Sequence, residues 1–193
     1  KMMTKARTTD ADAVFLDLED AVSADEKPAA RQTAITAIRD LDWAGQGKTI
    51  SLRVNALDTI WTTHDLITVI EAVGDKLDTV ILPKVGGAED IYAVDVIVSQ
   101  IAAAQGFAPV GIEGLIETAQ GVANLAEIAA YNTQVGASRL EALHFGAGDY
   151  AASVGARTTD IGGLKDDYPG DQWHAQLSAL VAHCRANGIV PMD

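Results

Sequence analysis

Asp17, Glu19 and Asp20 crowd three carboxylates into four positions of VFLDLEDAV (14–22), where an apolar run that reads as a buried strand comes to its end. Four other apolar runs end in the same fashion. TISLRV (49–54) carries Arg53, with Asn55 just behind it, and TVILP (79–83) is followed by Lys84. VGIEGLI (110–116) leads into Glu117 and Thr118, and EALHF (141–145) into the glycine-rich GAGDY with Asp149. Carboxylates gathered in one concavity repel one another and take up protons unless a cation offsets them. Two or three of them, with no accompanying His or Cys pattern, suit a hard divalent ion, Mg2+ or Mn2+. Such an ion sits at roughly 2.0–2.2 Å from its ligands and is completed by water and substrate oxygens. The expected chemistry is that of a metal held by acids, and the glycines around Asp149 would let backbone and ligand come close.

Bringing those groups to one rim requires a parallel β/α fold, in which function collects at the C-terminal ends of the strands. The chain has that rhythm. Runs at 13–18, 49–54, 79–83, 110–116, 141–145 and 188–190 are mostly apolar rather than alternating, as when helices cover a parallel sheet. KPAARQTAITAIRD (27–40) places Pro28 at a first helical position and Ile35 and Ile38 on one face. AEDIYAVDVIVSQIAAAQG (88–106) stripes Ile91, Val94, Val98 and Ile101 and stops at Gly106. GVANLAEIAAY (121–131) and DQWHAQLSALVAHCRANG (171–188) repeat the scheme, the second ending on Asn187-Gly188. Most strands lie about thirty residues apart, the length of a βαβ unit. The expectation is an α/β chain of six strands in one domain over 1–193, either a doubly wound sheet or part of an eightfold barrel. No Gly-rich phosphate loop follows the first strand, which weakens the nucleotide-binding version. TTDIGGLKDDYPGD (158–171) reads as a mobile loop.

The totals narrow the function further. A formal net charge of −13 argues against nucleic acid or an anionic membrane as a partner through the overall field. With 48% hydrophobic and 21% charged residues the composition is globular, and no apolar run is long enough to span a bilayer. KMMTKARTTD has a basic start without the apolar stretch of a signal peptide. The single cysteine, Cys184, permits no internal disulfide and fits a reducing cytoplasm. It shares an apolar face with Leu177, Leu180 and Val181 and reads as a buried, inert thiol. His64, His144, His174 and His183 lack a shared ligand spacing, so structural or surface roles are expected. Trp61 and Trp173 read as packing residues, Asp17 as an acid paired with a rim cation, and Lys84 as a contact to a ligand phosphate or a neighbouring acid.

FLDLEDAV, SLRVNALDT, ILPKVGGAEDI, LIETAQGVANLAEIA and LHFGAGDYAASVG, in this order, resemble the HpcH/HpaI aldolase and citrate lyase β-subunit-like family of acyl-CoA carbon–carbon lyases. LDW (41–43), TTDIGG (158–163) and DQWH (171–174) favour the branch that cleaves L-malyl-CoA and β-methylmalyl-CoA. The resemblance implies a TIM (β/α)8 barrel, Mg2+ with Mn2+ as a substitute, and a CoA thioester as substrate. Glu117 and Asp149 then match the metal-binding carboxylates, Arg53 the catalytic arginine, and Glu19 and Asp20 the acids that hold water around the metal. The implied assembly is a homo-oligomer, a trimer or hexamer, sharing active-site parts. Citramalyl-CoA cleavage, malyl-CoA hydrolysis and a catalytically silent CoA-binding subunit are the alternatives. The family's first strand should precede KMMTKA, and its last strand and acid/base aspartate should follow VPMD. The chain therefore reads as a barrel lacking those two strands.

Overall fold

The computed structural model describes residues 2–156 and 171–192, so the expected loop at 158–171 lies, apart from Asp171, outside the described residues. The elements are α1 (Met2–Ala6), β1 (Ala13–Asp17), α2 (Lys27–Asp40), β2 (Thr49–Arg53), α3 (Thr62–Val73), β3 (Thr79–Leu82) and α4 (Ala88–Gln105). They continue with β4 (Gly111–Ile116), the short helices α5 (Ala119–Ala123), α6 (Leu125–Ala129) and α7 (Tyr131–Val135), then β5 (Leu140–Phe145), α8 (Ala147–Ser153), α9 (His174–Ala186) and β6 (Val190–Met192). Strand and helix alternate and the strands pair in parallel, which is the α/β repeat of a TIM (β/α)8 barrel. No described helix is long and apolar enough to cross a membrane.

The chain forms two compact units, residues up to 82 with 94–111, and residues 83–93 with 112 onward. In the first, β1, β2 and β3 run in parallel, with Asp17 opposite Arg53 and Ser51 opposite Thr79. Leu16, Leu52 and Val80 on the strands and Ile35, Ile38, Leu66 and Ile70 on the helices are buried. Each such side chain contributes about 1.5–3 kcal/mol of burial. Helix α2 spans the residues that its periodicity predicts. Helix α3 buries Leu66, Val69, Ile70 and Val73 at helical spacing, but Trp61 at its N-terminus offers no side-chain cap, so its start carries no sequence signal.

In the second unit β4, β5 and β6 pair in parallel, with Ile116 opposite Phe145 and Ala142 opposite Val190. The expected strand at 188–190 is shifted: Gly188, at φ 71, ends the preceding helix in the left-handed region, and β6 starts at Val190. The expected continuous helix at 121–131 is three short helices. Asn124 leaves helical geometry at the first break and donates its side-chain amide to the Gly86 carbonyl at 2.7 Å. Phe145, Tyr150 and Trp173 form an aromatic cluster with centroids 5.4–6.3 Å apart, so Trp173 is a packing residue.

A buried polar network ties the two strand ends of the first unit together. Asp65, fully buried, accepts from Arg31 Nε at 2.6 Å, from the Asn55 backbone N–H at 2.9 Å and from Asn55 Nδ2 at 2.6 Å. Asn55 Nδ2 also donates to the Leu18 carbonyl at 3.0 Å. Arg31→Met strands the Asp65 carboxylate without its charge partner and is expected to cost about 3–5 kcal/mol in urea unfolding. A smaller loss in the Arg31→Met/Asp65→Asn double variant than in the single one identifies the stranded charge as the cause.

Candidate active site

Arg53 ends β2 directly opposite Asp17, the last residue of β1, so the parallel register itself places the two side chains on one face. The pair is bidentate: Nε lies 2.8 Å from Asp17 Oδ1 and one terminal nitrogen 2.7 Å from Oδ2. The other terminal nitrogen lies 3.1 Å from Glu19 Oε2, and Glu19 is buried. Asp17 also accepts the backbone N–H groups of Glu19 (2.9 Å) and Ala21 (3.2 Å), folding the acidic turn back on the strand. Lys27 holds the same turn from below, donating to the carbonyls of Leu18 (2.8 Å) and Glu19 (3.0 Å) with its ammonium 4.9 Å from the centre of the Trp61 ring. Asp20 is exposed and acts on Arg53 only through its charge.

Burial alone would raise the Asp17 carboxyl, but the hydrogen bonds from Arg53 and from the backbone of Glu19 and Ala21 outweigh it and hold the group below the usual carboxylate value. Hydrogen bonding to Asp17, against the opposing effect of burial and with the charges of Asp17, Glu19 and Asp20, pushes Arg53 further up, so it stays cationic. Two of its five N–H groups donate to Asp17, and a terminal nitrogen stands within ion-pair distance of Glu19.

The second unit holds another charge group. Glu117 follows β4 and is only 4% exposed; its Oε1 accepts the backbone N–H of Lys84 at 2.9 Å. The Lys84 ammonium lies 2.9 Å from Oδ2 of Asp149, in the first turn of α8. Lys84 is the one non-glycine residue among those described with a positive φ, 55°, a conformation costing roughly 1–3 kcal/mol. Glu117 needs the space that Gly146 leaves, because a Cβ there would stand 2.5 Å from Glu117 Oε2 and 2.6 Å from its Cβ. Gly148, by contrast, faces open space. The expected freedom of approach around Asp149 thus serves Glu117 at the first glycine and leaves room at the second. Thr118 caps α5, its hydroxyl accepting the Gly121 N–H at 2.9 Å.

The structure therefore joins Glu117, Lys84 and Asp149 in one unit and Arg53, Glu19 and Asp17 in the other. Among the described residues no group of three or more His, Cys, Asp or Glu could hold a metal; a hard divalent ion would find here the carboxylates of Glu117 and Asp149. Two hard oxygen donors already sharing one cationic residue fit such an ion. His144 pairs with Glu113 on the neighbouring strand. Burial pushes the Cys184 thiol up to about 11, which makes it inert. Sequence reasoning overlooked Gly146 as the seat of Glu117 and Lys27 as the grip on the acidic turn. Nothing in their local pattern marks either role.

Residues 1–193 match the HpcH/HpaI aldolase/citrate lyase family throughout, and the chain belongs to that family. It is 43% identical over 202 residues to the L-malyl-CoA/β-methylmalyl-CoA lyase of Cereibacter sphaeroides (strain ATCC 17025 / ATH 2.4.3), covering all of this chain and 61% of that protein. It is 36% identical over 195 residues to a (3S)-malyl-CoA thioesterase of Cereibacter sphaeroides (strain KD131 / KCTC 12085), covering all of this chain and 58% of the other. Among solved structures it resembles the protein CitE of Mycobacterium tuberculosis in complex with magnesium and acetate. There the identity is 27%, the TM-score is 0.69, and the match covers 98% of this chain and 66% of that one. The chain spans about three fifths of the length of the curated relatives it matches.

Gly146→Ala is expected to lose about 1–3 kcal/mol of stability through forced displacement of Glu117, whereas Gly148→Ala, facing open space, costs nothing; urea unfolding of both decides. Because the folded-state value of Asp17 is depressed, its contribution to stability is full above the usual carboxylate range. It is lost as the pH falls through the lowered value. The stability gap between wild type and Asp17→Asn should therefore be wide at neutral pH and close below about pH 4 in denaturant titrations.

Proposed function

We propose that the protein is a divalent-metal-dependent carbon–carbon lyase that reversibly cleaves L-malyl-CoA to glyoxylate and acetyl-CoA, and β-methylmalyl-CoA to glyoxylate and propionyl-CoA. One observation carries the reading: the two carboxylates Glu117 and Asp149 gather on one cationic residue in a chain 43% identical to a lyase of that name. In the cleavage the 2-hydroxyl gives up its proton to a base, the C2–C3 bond breaks, C2 becomes the glyoxylate carbonyl and the electron pair passes into the thioester enolate, which takes up one proton at C3 to give the acyl-CoA product. Glu117 and Asp149 would hold Mg2+, or Mn2+ in its place. When bound, the ion supplies polarisation of the hydroxy-acid oxygens.

Arg53 meets the thioester oxygen with N–H groups that Asp17 does not engage and offsets the negative charge that grows there. Its guanidinium is already fixed by Asp17 and Glu19, so no reorganisation is needed as that charge appears. Glu19 and the exposed Asp20 order water at the site. Lys84 is the cationic residue at the edge of the acyl-CoA site. The same reading includes a CoA ester as the partner molecule, a cytoplasmic setting in keeping with the reduced Cys184, and assembly as a trimer or hexamer.

Incubation of the full-length protein with malyl-CoA and Mg2+ should release glyoxylate and acetyl-CoA in equal amounts. Glu117→Gln, Asp149→Asn and Arg53→Lys are each expected to lower kcat/KM by about 10²–10³. Undiminished turnover in both carboxylate variants overturns the assignment of the metal ligands. Free CoA and malate without glyoxylate mark the protein as a thioesterase instead.

A further inference from the structure

We infer that Lys84 is a built-in counter-cation whose ammonium holds the place of the divalent ion at Asp149 and gives it up when the ion binds. The inference rests on the assignment of Glu117 and Asp149 as the metal carboxylates. A single residue serves both acids through two different groups: its backbone N–H donates to Glu117 Oε1 at 2.9 Å, and its Nζ stands 2.9 Å from Asp149 Oδ2.

The two arms differ in permanence. Glu117 is 4% exposed and packed against Gly146, so the backbone arm is fixed, and it is made at a residue whose φ of 55° lies in the left-handed region. The side-chain arm is open to solvent, with Lys84 34% and Asp149 41% exposed. An exposed ion pair of this kind is weak and readily exchanged. A divalent ion seeking a carboxylate oxygen of Asp149 therefore competes with an ammonium that a flexible four-carbon stem can swing aside. The lysine offsets the Asp149 carboxylate while the ion is absent and repels the ion once it arrives. It is a positioning residue that sets how tightly the metal is held.

Binding of Mn2+ to wild type, Lys84→Met and Lys84→Arg, followed by the electron paramagnetic resonance signal of the free ion, tests this without any turnover. Lys84→Met keeps the backbone N–H to Glu117 and is expected to bind Mn2+ about tenfold more tightly, a gain that shrinks at high salt. Lys84→Arg keeps the charge and should stay within about threefold of wild type. Without metal, Lys84→Met should melt below wild type, and saturating Mn2+ should erase the difference. Equal or weaker Mn2+ binding by a folded Lys84→Met protein overturns the inference. Lys84→Gln, equally uncharged, carries the same expectation if the methionine variant does not fold. Failure of wild type itself to bind Mn2+ overturns the metal assignment instead, and this inference with it.

Discussion

A carboxylate brought to the end of a buried strand must find a positive partner close by, and every other feature of these two charge groups follows from that need. The protein meets it locally. In the first unit Asp17 and Glu19 close on the guanidinium of Arg53, and in the second Asp149 closes on the ammonium of Lys84 while Glu117 takes a backbone N–H. The net charge of −13 is therefore not a measure of the field at these acids, which face a cation or a backbone N–H close by.

The compensation is built from geometry as much as from charge. Asp17 and Arg53 meet because the register makes them opposite neighbours, and a slip of one residue would send one of them to the other face of the sheet. Glu117 reaches its donor because Gly146 carries no side chain in its way. The acidic turn after β1 is clasped on both sides, by Asp17 through its amides and by Lys27 through its carbonyls. Such clasping fixes the turn and the arginine beside it in one arrangement.

Much of this was open to reading from the residues. The strands stand out because buried parallel strands are apolar throughout, and α2 and α4 because a proline, a stripe and a terminal glycine mark their limits. Helix α3 stays hidden because its start has no capping side chain, and the break at Asn124 because it arises from a contact with Gly86, 38 positions away in sequence. The residue types at the strand ends announce acids and cations, yet not their pairing. Lys84 is equally compatible with a phosphate and with an acid, and only the turn after Pro83 decides that its ammonium meets Asp149. Gly146 looks like a residue yielding to a ligand when it yields to a side chain of its own chain.

Within each unit every strand is bonded to the strand made just before or just after it, β1 to β2 to β3 and β4 to β5 to β6. No strand in either set has to wait for a distant part of the chain before it can find its neighbour. As the polypeptide leaves the ribosome, each newly emerged strand already has a template in place, and the ion pair of Arg53 with Asp17 can close while the later half is still being translated.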